Sequence, residues 1–158
     1  MEEKPRVLVS LCLLGIECRY DGRGNACEGL NKLVERCEIV PVCPEQLGGL
    51  PTPRTPAERR DGRVVTKDGR DVTEAFKRGA DQVCRLAEAL QIRWALLKAR
   101  SPSCGTGKVY DGTFAGRLIP GMGVTALALY HAGIPVYDDE HIDDLIQRID
   151  EERENHHG

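Results

Sequence analysis

Three cysteines of this sequence follow short apolar runs. Cys12 comes after "VLVSL", Cys43 after "EIVPV", and Cys104 lies in "SPSCG", shortly after "WALLK". The chain has an odd number of cysteines in all: Cys12, Cys18, Cys27, Cys37, Cys43, Cys84 and Cys104. An odd count in a chain that does not resemble a small secreted scaffold argues against a disulfide framework. Thiolates are the ligands that zinc and iron–sulfur clusters prefer, so these three cysteines are candidate metal ligands.

The spacing of these cysteines leaves three interpretations open. A zinc ribbon would carry close cysteine pairs, which are absent, but zinc held by three thiolates with an open fourth position is compatible with the pattern. A 4Fe-4S cluster held by three cysteines is the second, and it would leave one iron free to act as a Lewis acid. The third is that the cysteines are small buried hydrophobic residues, which is the usual role of a free cysteine.

Two polar residues stand beside these cysteines. Glu45, two positions after Cys43, is the right type for a general base, and Ser101, which opens "SPSCG", is able to donate a hydrogen bond or pass a proton. Each also has an ordinary structural interpretation. A loop carboxylate or helix-cap partner explains Glu45 equally well, and a serine before a proline is a common turn residue.

Other groups at the same predicted edge are suited to an anion such as phosphate. Arg54 and Lys108 lie in loops, and the glycines of "PGMGVTA" precede a helix whose first amides, near Val124 and Thr125, are able to hold an anion. The alternatives are solvated cations and a tight turn from loop to helix. Tyr20, Asp21 and Gly22, which follow Cys18, are expected to line the binding pocket at this edge.

Buried strands alternate with amphipathic helices along the chain. Strands are predicted at "RVLVSLCL", "EIVPVCPE", "RWALLKA" and "IPVYD", with helices between them and a terminal helix after the fourth. This order predicts an α/β fold, a single three-layer α/β/α domain over residues 1–158, with a mostly parallel, Rossmann-like sheet. Ligands of such sheets bind at the carboxyl ends of the strands, where Cys12, Cys43 and Cys104 lie.

Several boundaries are predicted from capping and turn residues. Asn25 is expected to cap the first helix and Thr73 the second, which carries a buried face. A small hairpin insertion is predicted in "RVVTKDGRDVT", with its turn at Asp68 and Gly69. The segments "QLGGLPTPRTPAERRDG" and "GTGKVYDGTFAGRLIPG" are predicted to be loops. Cys27, Cys37 and Cys84 lie on or beside helical segments and are expected to pack in the core.

Composition limits the classes of function. The formal net charge of the 158 residues is −3 and only 4% of them are aromatic, which disfavours nucleic acid as a partner. No apolar stretch reaches the roughly 20 residues of a membrane span. Glu2 and Glu3 precede the first apolar run, unlike the basic start of a secretory signal, so a cytoplasmic location is expected.

Six segments together resemble the thiouracil desulfidase family, which was long catalogued only as a domain of unknown function. They are "VLVSLCLLGIECRYDG", "CPEQLGGLPTPRTPAE", "DVTEAFKRGA", "LLKARSPSCG", "VYDGTFAGRLIPGMGVTA" and "GIPVYDDE". The resemblance extends from Val7 to Glu140, and the combination of motifs is highly specific.

The resemblance implies an α/β protein with a 4Fe-4S cluster bound by three cysteines. The positions that match the family's ligands are Cys12, Cys43 and Cys104, with Cys18 in reserve because it also belongs to the family pattern. Glu45 and Ser101 match the family's catalytic pair. The implied reaction exchanges the sulfur of a thiolated pyrimidine for oxygen, with the open iron as Lewis acid and no net electron transfer.

The resemblance also implies a class of substrate. Members act on thiouracils or on thiouridine nucleotides, whereas longer relatives with an extra domain act on thiouridine in transfer RNA. We therefore expect a free base or a nucleotide such as 4-thiouridine monophosphate, and no transfer RNA. The alternatives are a non-catalytic iron–sulfur or zinc binding module with a redox-sensing role, and a nucleotide-binding regulatory domain whose cysteines are core residues.

Overall fold

A computed structural model describes residues 4–157 of the chain. Its strands are β1 (Arg6–Ser10), β2 (Glu38–Val42), β3 (Ala57–Arg60), β4 (Arg63–Thr66), β5 (Trp94–Leu97), β6 (Lys108–Tyr110), β7 (Leu118–Pro120) and β8 (Val136–Asp138). Its α-helices are α1 (Leu30–Arg36), α2 (Pro44–Leu47), α3 (Thr73–Ala89), α4 (Val124–His131) and α5 (Ile142–His157). Two short 3-10 turns, Leu11–Leu14 and Asp139–His141, follow β1 and β8.

Four parallel strands form the central sheet, in the order β2-β1-β5-β8. The chain leaves β1 towards β2 and later returns to the other side of β1 as β5. The direction of winding therefore reverses between β1 and β5. Pro41 of β2 pairs with Val9 of β1. A proline cannot donate a hydrogen bond to a neighbouring strand, and β2 accommodates it because it lies at the edge of the sheet.

Helices cover both faces of this sheet, which confirms the predicted α/β/α arrangement. Successive residues of a strand point to opposite faces. Val7 and Val9 pack with residues of α1 and α5 such as Leu33 and Leu145. The opposite face is packed in the same way, and the buried residues there include Leu8, Ala95, Leu97, Val83 of α3 and Leu129 of α4.

The predicted hairpin exists, but one strand earlier than the sequence indicated. β3 and β4 pair in antiparallel fashion around a tight turn at Asp61 and Gly62, whose φ angles of 49° and 78° suit a two-residue hairpin turn. The turn expected at Asp68 and Gly69 follows β4 and leads to a single bridge between Val65 and Asp71. The prediction was wrong because both turns carry Asp-Gly and the polar sequence of β3 resembles a loop.

Two further segments predicted to be loops contain regular structure. "GTGKVYDGTFAGRLIPG" holds a second hairpin, formed by the antiparallel strands β6 and β7. The helix α2 extends through Gln46 and Leu47, which were assigned to the first loop. The strands β6 and β7 have three residues each and α2 has four, so these elements are too short to produce a periodic pattern.

Neither of the two residues predicted to cap a helix occupies the capping position. Asn25 does not cap α1, which begins at Leu30 after Gly29. The backbone N–H of Asn25 donates instead to the carbonyl of Cys12 at 2.7 Å, which holds Asn25 against the turn after β1. Thr73 is the first residue of α3 rather than its cap, and its Oγ1 accepts a buried hydrogen bond from the N–H of Val64.

The short helix α2 lies directly on α3. A Cβ atom at Gly79 would stand 2.0 Å from the carbonyl oxygen of Pro44, and one at Gly48 would stand 2.1 Å from that of Ala75. No side chain fits in either place, so both positions need glycine. This contact fixes the segment that carries Cys43 and Glu45 against the long helix.

Within residues 4–157, none of the helices has both the length and the apolar character needed to cross a bilayer. Glu2 and Glu3, on which the expectation of a cytoplasmic location partly rests, lie outside the described residues.

Candidate active site

A cavity of about 700 Å³ opens at the carboxyl ends of β1, β2 and β5, beside the point where the winding of the sheet reverses. Such points are the usual ligand sites of open parallel sheets. The cavity is lined by all six residues that the sequence singled out for cluster binding or catalysis: Cys12, Cys18, Cys43, Cys104, Glu45 and Ser101. The structure therefore brings the predicted site residues together.

Two of the cysteines come from the segment after β1. Cys12 lies in the 3-10 turn, and its carbonyl accepts hydrogen bonds from the N–H groups of Gly15, at 3.0 Å, and Asn25. Gly15 ends the turn with a φ of 86°, and Gly24 packs so closely on it that a Cβ at Gly24 would lie 2.4 Å from its carbonyl oxygen. The loop thus folds back on itself, and Cys18 is buried within it.

Cys43 and Glu45 are placed by the end of β2 and the start of α2. Cys43 occupies the position before the helix, Pro44 is its first residue, and Glu45 lies in its first turn. Proline at the first helical position needs no hydrogen-bond partner, and an acidic residue in the first turn is favourable to the helix dipole. Local propensity and the packing of α2 on α3 therefore agree on this geometry.

The SPSCG segment forms a turn stabilised by its first serine. Ser101 Oγ accepts hydrogen bonds from the N–H groups of Ser103 and Cys104, each at 3.1 Å. Arg100, just before it, has a φ of 68°, a backbone conformation that residues other than glycine rarely adopt. Such strain is typical of functional sites. Ser101 thus positions Cys104 while keeping its own hydroxyl proton for another acceptor.

Helix α4 supports this turn from outside. The N–H of Val124 donates to the carbonyl of Pro102, and the N–H of Thr125 donates to the carbonyl of Ser103, both at 2.9 Å. A Cβ at Gly123 would lie 2.4 Å from the carbonyl carbon of Ser103, so the helix start touches the turn directly. Both N–H groups bond to the backbone of the SPSCG turn, which favours the tight turn from loop to helix over an anion site at these amides.

The four thiols of the cavity lie close enough to influence one another. Burial first, and then the nearby thiols of Cys104, Cys18 and Cys43, raise the pKa of Cys12 to about 12. Burial also raises the pKa of Cys18 to about 11, with further contributions from the charge of the adjacent Cys43 and a hydrogen bond with it. The raised pKa values keep Cys12 and Cys18 as neutral thiols at neutral pH when no metal is bound.

Two serine hydroxyls influence the pKa of the buried Cys104. Burial raises the pKa of Cys104 to about 12, while hydrogen bonds from Ser10 and Ser103 act in the opposite direction. Ser10 is itself held in place, because its Oγ accepts the N–H of Lys98 at 2.9 Å. Hydrogen bonds of this kind to ligand sulfurs are known to tune the potential of iron–sulfur clusters.

The donor set fits an iron–sulfur cluster. All seven cysteines are free, and four of them line the cavity. Soft thiolates are the ligands that such clusters prefer, and they bind different irons of a cluster rather than meeting at one ion. Among residues 4–157, no group of three or more His, Cys, Asp and Glu side chains is placed to hold a single metal ion.

A buried ion pair accompanies these thiols. Arg54 Nε donates to Glu45 Oε2 at 2.7 Å, and Arg54 Nη2 contacts the same oxygen. The side chains of Arg54 and Glu45 are only 8% and 14% exposed. Within the described part of the chain, Oε1 of Glu45 accepts no hydrogen bond from another residue, so this oxygen is available to a water molecule in the cavity.

The remaining predicted residues separate into those at the cavity and those outside it. Tyr20 lines the cavity, whereas the expectation was wrong for Asp21 and Gly22, and Lys108 also lies outside the lining. Cys37 is buried in the core as expected, and Cys27 and Cys84 are half-buried, also outside the cavity. Apart from Arg54, the cations that line the cavity are ones that the sequence did not single out, namely Arg19, Arg70, Lys98 and Arg100.

Sequence reasoning also missed the serines around Cys104. Ser10 is the last residue of β1, and strand-end residues of parallel sheets face ligands, so its position was a usable signal. Ser103 had no such signal, because its role depends on a hydrogen bond with Thr125, 3.0 Å away on α4. The partnership of Arg54 with Glu45 depends in the same way on the path of a proline-rich loop.

The raised pKa values predict how the reduced, metal-free protein reacts with iodoacetamide. A pKa of about 12 at Cys12 and Cys104 keeps the thiolate population at pH 8 about 1,000-fold below that of an ordinary thiol of pKa 9.0. Because only the thiolate reacts, alkylation of both should accelerate about tenfold per pH unit from pH 8 to pH 11. Peptide mass spectrometry measures these rates, and a plateau near pH 9, as glutathione shows, would contradict the prediction.

Comparison with known proteins agrees with this site. The sequence model of the family described as 2-thiouracil desulfurase matches residues 7–141. YbbK, an uncharacterised protein of Bacillus subtilis (strain 168), is 43% identical over 150 residues, which cover 89% of this chain and 99% of YbbK. The solved structure of the 4Fe-4S-dependent thiouracil desulfidase TudS has a TM-score of 0.88 and 43% identity, and the match covers 93% of this chain and 99% of that chain. With its cysteine-lined cavity and this likeness over nearly its whole length, the chain belongs to the 2-thiouracil desulfurase family.

Proposed function

We propose that this protein is a 4Fe-4S-dependent desulfidase that removes sulfur from a thiolated pyrimidine. The thiocarbonyl compound and water give the oxo compound and hydrogen sulfide, so atoms balance and no oxidant or reductant is consumed. The observation that carries the proposal is the convergence of four cysteines, a carboxylate and a serine on one cavity. A storage or redox-sensing module would need the sulfur ligands but neither Glu45 nor Ser101.

Cys12, Cys43 and Cys104 are the proposed cluster ligands, with Cys18 in reserve. When bound by three cysteines, the cluster supplies an iron with an open position, a Lewis acid that polarises the carbon–sulfur bond. Ser10 and Ser103 act against burial and lower the pKa of Cys104. Cys12 and Cys104 are buried, and Cys43 is half-buried at the cavity.

Glu45 is the proposed general base. Arg54 holds Oε2, and Oε1 faces no other hydrogen-bond donor of the described chain, so it is free to bind the attacking water. Glu45 takes a proton from this water as the oxygen forms its bond to the ring carbon. The proton then leaves with the sulfur, which departs as hydrosulfide or hydrogen sulfide.

Ser101 is proposed to orient the substrate and assist the proton transfer. Its Oγ already accepts two backbone N–H groups, so its hydroxyl hydrogen points to a different acceptor. A ring nitrogen or the thiocarbonyl sulfur of the substrate is suited to receive it. Ser101→Ala would therefore remove this donor and loosen the turn around Cys104.

The proposed substrates are a free thiouracil or 4-thiouridine monophosphate. A cavity of about 700 Å³ falls in the size range of pockets that enclose drug-sized ligands, so it has room for a nucleotide as well as for a base. Cations at the lining, among them Arg19 and Arg70, suit a phosphate. We further propose a cytoplasmic enzyme formed by one domain over residues 1–158, with no membrane or transfer RNA as partner.

The test is sulfide release by anaerobically reconstituted protein. We expect hydrogen sulfide and uracil from 2-thiouracil, or hydrogen sulfide and uridine monophosphate from 4-thiouridine monophosphate, in equal amounts. Protein without iron is the control and should release none. A protein with a full cluster that releases no sulfide from either substrate would contradict the function, and would favour the binding module with a redox-sensing role.

A further inference from the structure

We propose that Arg54 is a positioning residue whose guanidinium fixes Glu45 in the orientation that accepts a proton from water. This inference rests on the desulfidase function proposed above. From its place in a loop at the predicted edge, Arg54 was a candidate ligand for a phosphate of the substrate. Its contacts give it a partner within the protein instead.

The guanidinium group of Arg54 is fully engaged inside the fold. Nε and Nη2 contact Oε2 of Glu45, while Nη1 and Nη2 each donate to the carbonyl of Cys18 at 3.1 Å. Nη1 also lies 3.2 Å from the carbonyl oxygen of Pro51 and 3.1 Å from Thr52 Oγ1, so its two hydrogens are shared among three acceptors. One side chain thus joins α2, the Cys18 loop and the proline-rich loop at the wall of the cavity.

The pattern of these bonds separates positioning from simple cross-linking. The bonds to Cys18, Pro51 and Thr52 join Arg54 to two loops without involving Glu45. The contacts with Glu45 are additional, and they engage a single carboxylate oxygen. Two donors on Oε2 restrict rotation of the carboxylate, and Oε1, which accepts no hydrogen bond from the described residues, remains for a water molecule.

Arginine is the side chain that this arrangement requires. Its planar fork reaches several acceptors in fixed directions, whereas the ammonium of lysine is a single point charge on a flexible stem. Lysine at position 54 would satisfy either Glu45 or the carbonyl of Cys18. The carboxylate would then be free to rotate, and a small misplacement of a reacting group lowers the rate by as much as about 100-fold.

The experiment compares Arg54→Ala and Arg54→Lys in the reconstituted holoprotein with 2-thiouracil as substrate. We expect kcat to fall about 100-fold in both variants, with KM and the visible spectrum of the cluster close to those of the wild type. Guanidinium at millimolar concentration should restore kcat of Arg54→Ala, and methylammonium should not. The matched control is Arg63→Ala, which removes an exposed arginine from its ion pair with Asp71, and it should leave kcat unchanged.

The outcomes separate this inference from the proposed function. Wild-type kcat in Arg54→Ala, or loss of the cluster with no recovery in guanidinium, would overturn the positioning role. A crystal structure of the Arg54→Ala holoprotein gives a readout that does not depend on turnover. A rotated Glu45 carboxylate supports the inference even if the wild type releases no sulfide, and an unchanged Glu45 overturns it. An inactive wild type with a full cluster would contradict only the proposed function.

Discussion

Replacing Glu45 by glutamine should abolish sulfide release while the protein keeps its cluster. Glutamine has nearly the size of glutamate and still accepts a hydrogen bond from Arg54, but it cannot take a proton from water. General bases contribute about 100- to 10,000-fold to the rates of the reactions they assist. We therefore expect kcat for either thiopyrimidine to fall by about 1,000-fold.

Anaerobic assays of sulfide and of the oxo product, made together with iron analysis, measure this effect. The control is Glu58→Gln, a second carboxylate that lines the same cavity. Oε1 of Glu58 accepts the N–H groups of Gly112 and Phe114, and a glutamine oxygen is able to do the same. Glu58→Gln should keep most of the activity. Loss of iron from Glu45→Gln would show instead that Glu45 has a structural role beside Cys43.

The central layers of the fold were predictable because their residues are buried on both sides. β1 and β5 are short apolar runs with turn residues beyond them, and a run of this kind identifies a strand of a parallel sheet. One hairpin was misplaced and the other was missed for the opposite reason. β3 is polar, and every residue of β7 is exposed, so neither is specified by burial. Their pairing is decided by neighbours that are distant in the sequence.

The convergence of the cysteines was predictable in the same way. Three parallel strands must end at one edge, so Cys12, Cys43 and Cys104 had to approach one another once the strands were identified. The fine structure of the site was not accessible from the sequence. Glu45 meets Arg54 because a proline-rich loop turns back towards the Cys18 carbonyl. A path of this kind depends on tertiary contacts and leaves no periodic signal.

The same limit left two interpretations open for the glycines before α4. Glycines before a helix are compatible either with an anion at the helix start or with another part of the chain packed there. Here the SPSCG turn occupies that place, and Gly123 allows the closest contact. Helix α4 therefore serves the cavity indirectly, by fixing the carbonyls of Pro102 and Ser103 and with them Cys104.

The four cysteines of the cavity should separate into three ligands and one other residue when each is changed to alanine. We expect Cys12→Ala, Cys43→Ala and Cys104→Ala to lose the cluster and all sulfide release. In each variant only two of the three proposed ligands remain, which is too few to retain the cluster. Cys18→Ala should keep iron, acid-labile sulfide and the visible spectrum. Cys84→Ala is the control from outside the cavity and should match the wild type.

The result at Cys18 is the most informative of the series, because Cys18 and Cys43 lie in hydrogen-bonding contact. Two adjacent thiols are able to exchange as ligands, and Arg54 ties the Cys18 carbonyl to the carboxylate of Glu45. If Cys18→Ala loses the cluster and Cys43→Ala keeps it, the assigned ligand set is wrong and Cys18 replaces Cys43. If both variants keep the cluster, either thiol suffices as the third ligand. Iron content alone decides among these cases, so the assignment is testable without a substrate.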